Sequence, residues 1–434
     1  VLTFYHLLAR AIVAVVALGA CSGGASDASG GSGASGANSW HDASGGGAGV
    51  TSDSAASTAG GNVGAETEQD AGAPAPALDG ESGGASLDGS LADRGMPFEA
   101  GSDAELVARP DGGRGFVHPG GWHTIADIDR IRRKIAVRAE PWTGAAQALM
   151  SSGPGIDYAA RPLATVSRDS ADNTGNVNLQ GDASNAYTLM VKWMATGDVA
   201  YADAAMRVID GWSATLRTIV GHDARLAAAI YGNKMAAAAE LCAHAKGAAW
   251  VNRGRAKTMF KDVFYPLIAN YAQEQMPNGN WDTAALAGVM GIAVFTDDQQ
   301  MFDGALTYWK SGVGNGSINH YIIDANGQCQ ESGRDQPHAM GGIAHLVEAA
   351  EIAWNQGQDL FSYDGNRLLV GLEYTARYNL GNTVPFTPNC DVYKKSCFSV
   401  ISPAGRGSFA PVWEMAYHRY RQLGVLAPYI KQVR

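Results

Sequence analysis

The chain has 434 residues, 46% of them apolar and 17% charged, enough for one large domain or two small ones. Its net charge of −10 is local, because 14 acids face three bases between Cys21 and Arg114 while residues 115–434 hold 28 of each sign. No basic excess argues for a nucleic-acid partner, and the acidic total says nothing about what the neutral part binds.

Residues 1–20 carry one Lys/Arg/Asp/Glu side chain, Arg10, and an apolar run from Ala11 to Leu18 that is too short to span a bilayer as a helix. The following Leu18-Gly-Ala-Cys21 resembles the lipobox of bacterial lipoproteins. That resemblance implies export, cleavage before Cys21, lipidation of its thiol and attachment to the membrane through an N-terminal lipid anchor. Ser22 in place of a retention-type Asp points to the outer membrane. From Cys21 to about Gly115 the chain is Gly, Ser, Ala and acids, with Trp40 and Phe98 the only aromatics. Such a composition cannot bury enough apolar surface to offset its conformational entropy, so a disordered tether is expected. The expected plan is a leader over 1–20, a linker over 21–115 and one folded domain over 116–434.

In the folded part, Thr124-Ile-Ala-Asp127 has the form of a capping box and predicts a helix to about 138, and Pro141-Trp142 starts another to 150. After a polar loop over 151–181, helices are expected over 182–196, 200–219, 226–246, 253–275, 281–295, 298–312, 337–356, 366–379 and 409–423. The best strand candidate is 318–323. A punctuation recurs in Thr196-Gly-Asp198, Thr296-Asp-Asp298 and Asn355-Gln-Gly357. Each time a small-residue helix precedes the break and a more charged amphipathic one follows. Stacked helical hairpins give that pattern, with the small-residue helices crowded inside and the charged ones outside. The expected fold is all-α, an α/α toroid of six to seven hairpins, with an extended tandem solenoid as the alternative.

The densest polar stretch is Gly327-Gln-Cys-Gln-Glu-Ser-Gly-Arg-Asp-Gln-Pro-His338, which runs straight into a helix. Pro337 suits a first helical position, so His338 falls in the first turn. Met340, Ile343, Val347 and Trp354 share one face, while His338, Gly342, His345 and Ala349 share the other. Inner helices of a ring start at one mouth, where their free N–H groups favour a carboxylate without net positive charge. Asp182 to Tyr187, Asn278-Gly-Asn-Trp-Asp282 and Gln328 to His338 fall near such starts. Cys390 and Cys397 flank a Lys-rich loop and are expected to pair as a disulfide in an exported protein. Cys242 reads as a small buried hydrophobe, and no CxxC or HxxxH spacing supports a metal site.

Several of these motifs occur together: His118-Pro-Gly, Tyr231-Gly-Asn-Lys, Asn278-Gly-Asn-Trp-Asp, the Gly327 to His338 run, Ala353-Trp-Asn-Gln-Gly357, Glu373-Tyr-Thr-Ala and Gly405-Arg-Gly. In that order and density, spread from Phe116 to Leu423, the chain resembles the alginate-lyase-type polysaccharide lyases. The resemblance implies an α/α toroid that cleaves 4-linked polyuronates by β-elimination, with no required metal or organic cofactor. An anionic polysaccharide is the expected partner, and the expected assembly is a monomer.

β-Elimination needs the uronate carboxylate neutralised, a base for the C5 proton and an acid for the leaving O4. By similarity Asn280 is the neutraliser, Arg334 its assistant and His338 the base. The alternative role for Asn280 is a helix cap, and for Arg334 an ion pair with Glu331 or Asp335. Tyr393, in the Cys390 to Cys397 loop, is the leading candidate for the acid, with Tyr321 and Tyr231 as competitors. Tyr187, Trp281, Gln330, Glu331 and Arg406 complete the candidate sugar contacts, since aromatic faces stack on pyranose rings and Arg forks pair uronates. Two other classes stay open. Asp282, Glu331 and Asp335 supply the carboxylates of a glycoside hydrolase, and a tethered glycan-binding protein would share the same cleft.

Overall fold

Several helices start where a nearby side chain caps them, as Thr124, Asp198, Asp298 and Asp335 do. The computed structural model describes residues 115–270, 275–407, 409 and 412–434. The expected leader, the expected lipidation at Cys21 and the expected linker up to residue 114 lie outside the described residues.

Helix α1 (Ile125–Ala136) opens on the capping box, with Thr124 accepting from the Asp127 N–H and Asp127 accepting from the Thr124 N–H. Helix α2 (Trp142–Met150) follows. Helix α3 (Asn176–Thr196) begins six residues earlier than its sequence pattern suggests, because Gly175 takes a left-handed conformation that lets the chain turn into it. Helix α4 (Val199–Thr215) is capped by Asp198. Short strands β1 (Thr165–Ser167) and β2 (Thr218–Val220) pair in parallel, Val166 opposite Ile219, so the chain beyond Thr215 is strand and not the expected helix.

A helical turn (Ala224–Leu226) and a π-helical turn (Ala227–Tyr231) lead into α5 (Gly232–Lys246). Then come α6 (Arg253–Met259), α7 (Gly279–Thr296), α8 (Gln299–Ser311), α9 (Gln336–Asn355), α10 (Tyr363–Asn379), α11 (Trp413–Gln422) and α12 (Pro428–Val433). The strand expected at 318–323 is instead a single helical turn (Ile318–Tyr321), with Ile322 bridged to Cys329. Ser317 precedes the turn in an extended conformation, and the turn buries its first and last residues, Ile318 and Tyr321, while Asn319 is exposed, a spacing of three that fits a helical turn and not the alternation of a strand.

The helices form the expected α/α toroid. Helices α3, α5, α7 and α9 pack side by side as the inner row, and α4, α8 and α10 back them. Small residues make this possible: a Cβ on Gly288 of α7 would come within 3.0 Å of the Ala229 carbonyl oxygen. Every residue of α7 is buried except Asn280. At the far end of the row, the segment Val117 to Gly121 lies across the helices. Gln356 and Asn355 bond its backbone, and Glu240 of α5 accepts from Gly120 and Gly121.

Candidate active site

The first turn of α7 meets the stretch that leads into α9. Asn278 precedes α7 but its side chain caps nothing. The caps come from the stretch before α9, where Gln330 Oε1 accepts from the Gly279 N–H at 3.1 Å and Glu331 Oε2 from the Asn280 N–H at 2.7 Å. Asn280 is therefore not a side-chain cap. Its amide makes no hydrogen bond with any described residue, and its Oδ1 is buried. A buried amide oxygen without a donor is unusual in a folded protein and marks a place where a ligand can supply one.

Glu331 is fully buried, and its other oxygen lies 2.8 Å from Arg334 Nη1. Burial pushes its carboxyl above the ordinary range, against Arg334, His338 and the Asn280 N–H. Arg334 Nη2 lies 3.0 Å from His338 Nε2, and His338 Nδ1 lies 2.6 Å from Asp335 Oδ2. A guanidinium only donates, so Nε2 carries the lone pair and Nδ1 the proton, which Asp335 accepts. Asp335 is also the N-cap of α9 through the His338 N–H. Burial raises its carboxyl, but the imidazole bond, that N–H and the nearby Arg334 charge together hold it below the usual value.

The chain Asn280, Glu331, Arg334, His338, Asp335 is thus one hydrogen-bonded network, and it unites three of the four residues that sequence placed in the reaction, Tyr393 being the fourth. The tyrosines divide. Tyr321 is completely buried, and its hydroxyl donates to the Ala339 carbonyl at 2.9 Å, so it supports α9 from beneath and has no face for a sugar. Tyr187 is 1% exposed and bonded to His123 Nε2, which corrects its assignment as a stacking platform in the same way. Tyr231 and Trp281 are 3% exposed, with Arg168 over the Tyr231 ring and His222 against the edge of Trp281. Gln330 and Glu331 are occupied as caps. Arg406 is exposed but stacked 4.1 Å from the Tyr378 ring, its Nε donating to the Tyr378 carbonyl.

Tyr393 lies in the loop between β3 (Asn389–Cys390) and β4 (Cys397–Phe398), closed by the Cys390–Cys397 disulfide. Asp391 organises the loop by accepting from the Tyr393, Lys395 and Ser396 N–H groups. The Tyr393 hydroxyl is buried and has no hydrogen-bond partner among the described residues. Sequence reasoning missed Arg225, Tyr308 and Asn315, which pack around this loop; the glycines flanking Asn315 were the available signal. Among the described residues no group of three or more His, Cys, Asp or Glu side chains could hold a metal ion.

Comparison with known proteins agrees with the architecture. The alginate lyase family model matches residues 139–386. An alginate lyase from Bacteroides ovatus superposes with a TM-score of 0.52 at 14% identity, over 73% of this chain and 96% of that one. Alginate lyase A1-III from Sphingomonas species A1 gives 0.51 at 15% identity, over 75% and 93%. A variant of A1-III complexed with tetrasaccharide gives 0.50 at 15% identity, over 74% and 92%. No curated protein matches the sequence. The fold and the matched family define a polysaccharide lyase. The chain belongs to the alginate lyase family.

Proposed function

We propose that the protein cleaves a 4-linked polyuronate by β-elimination at the Asn280 to Asp335 network. The observation that carries this reading is that the one unburied residue of α7 offers an unengaged amide beside an Arg–His–Asp chain of fixed tautomer. Asn280 and Arg334 take the sugar carboxylate, which draws the guanidinium off His338 Nε2 and bares its lone pair. Nε2 then removes the C5 proton, the C5–H electron pair forms the C4–C5 double bond, and O4 departs with a proton from Tyr393. The solved A1-III variant bound to tetrasaccharide supports a sugar polymer as substrate.

A hydrolase is less well served by the same residues. Asp282 is bonded to Arg225, Glu331 to Arg334 and Asp335 to His338, so each carboxylate already has a cationic or imidazole partner. The test is a panel of mannuronate, guluronate and glucuronate polymers, followed by the ultraviolet absorbance of the conjugated double bond. Absorbance rising on at least one polymer is expected, and silence on all three would overturn the reading. Carriage on the envelope through lipidated Cys21 belongs to the same proposal; Cys21→Ser should release the protein from membranes.

A further inference from the structure

No hydrogen bond joins the Tyr393 hydroxyl to the His338 network, so something else must set its place. Asp282 shares the first turn of α7 with Asn280. It is fully buried, with Oδ1 3.0 Å from Nη2 of Arg225, itself 5% exposed. A Cβ built on Gly314 would lie 2.1 Å from the Tyr308 hydroxyl and 2.9 Å from both Asp282 Oδ2 and the Tyr393 hydroxyl. Three oxygens therefore crowd one point that only a glycine leaves open. Gly316 is as constrained, since its Cβ would fall 2.4 Å from Asp282 Cβ. Between the two glycines sits Asn315, fully buried. It donates to the Met276 carbonyl at 2.8 Å, just before α7, and accepts from the Val392 N–H at 2.9 Å, just before Tyr393.

We propose that Asp282, anchored by Arg225, is a positioning residue: through the loop from Gly314 to Gly316 it holds the Tyr393 hydroxyl in register with Asn280. The inference rests on the reading of Tyr393 as the acid and deepens it. In the step concerned, the Tyr393 O–H bond breaks, its proton goes to O4 as the C4–O4 bond breaks, and the phenolate recovers a proton from solvent. The groups facing Tyr393 are Asp282, Tyr308 and Arg225 across the loop, with Asp391 and Lys395 of its own loop, the latter over the ring at 5.9 Å. Burial first, then the charges of Asp282 and Asp391, push the phenol above its ordinary value, against Arg225. An acid placed so keeps its proton into the alkaline range.

Asp282→Asn keeps the shape and removes the charge. It is expected to lower kcat about tenfold or more with KM within about twofold. It should also move the alkaline limb of the pH profile down by about one pH unit, because a nearby negative charge no longer opposes the phenolate. The tyrosinate absorbance assigned to Tyr393, by subtracting a Tyr393→Phe titration, should move the same way. A folded Asp282→Asn protein with both limb and titration unchanged overturns the proposal. Should that variant not fold, Gly314→Ala decides, since its methyl would lie 2.9 Å from both Asp282 Oδ2 and the Tyr393 hydroxyl: kcat lowered about tenfold with KM little changed supports the proposal, and unchanged kcat overturns it. Wild-type turnover in Tyr393→Phe would remove both the acid reading and this inference. An inactive Tyr393→Phe beside an unaffected Asp282→Asn would remove the inference alone.

Discussion

His338 has its ring fixed from both sides before any sugar arrives. Asp335 holds Nδ1 and Arg334 covers Nε2. A positioned base of this kind commonly contributes 10²–10⁴-fold. His338→Ala should therefore lower kcat at least about 100-fold while leaving helical content intact, because the Asp335 cap on the residue 338 N–H does not need the side chain. Steady-state kinetics beside far-ultraviolet dichroism checks both halves; near-wild-type turnover would remove His338 from the mechanism. Asn280, Arg334 and His338 could be singled out in the sequence because they fall in or just before the first turns of two small-residue helices, and the structure joins them in one network. The tyrosines were not. Tyr321 and Tyr187 carry the same side chain as Tyr393, and only the packing of neighbouring helices decides whether a ring is buried or borders a cleft.

At the scale of elements, most helix positions followed from periodicity and capping, while errors gathered where tertiary contacts set the ends. Nothing in the local sequence shows that α7 takes its caps from Gln330 and Glu331, some 50 positions away. The apolar residues Ile318, Tyr321, Ile322 and Ile323 read as a strand, but the buried pair Ile318 and Tyr321 stands three apart, on one side of a helical turn. The loop between α8 and that turn carries a direct prediction. A methyl at Gly316 has to displace Asp282 and the Thr283 N–H, so Gly316→Ala should destabilise by about 1–3 kcal/mol. Gly304, exposed in α8, meets nothing within 4 Å, so Gly304→Ala should stabilise by roughly 0.5–1 kcal/mol. Denaturant unfolding of the pair distinguishes crowding at the loop from a general intolerance of alanine; equal effects would contradict the packing argument.

Across the whole folded unit, the mouth and the opposite end of the inner row are held by different chemistry. At the far end His118 bridges Asp297 through Nε2 at 2.8 Å and Glu240 through Nδ1 at 2.6 Å, while Lys257 also pairs with Asp297. The bond to Asp297 and then that to Glu240 raise His118 from 6.5 to about 9. A histidine raised on folding contributes stability that is complete below about 6.5 and is lost as pH climbs through about 9. His118→Gln should therefore melt below the wild type at neutral pH, and the gap should narrow as pH passes 9. A gap constant from pH 6 to about 10 would show that the clasp does not depend on this charge. Sequence anticipated the ring itself from the recurring helix breaks, but the clasp joins residues more than a hundred positions apart and had no local signature.

The central claim is that these residues break a glycosidic bond by elimination, and mass spectrometry of the products from an oligouronate of defined length tests it most directly. The account predicts that each new non-reducing end is an unsaturated uronate, lighter by one water than the fragment hydrolysis would leave. Saturated fragments, or an oligomer of unchanged length after long incubation, would contradict it.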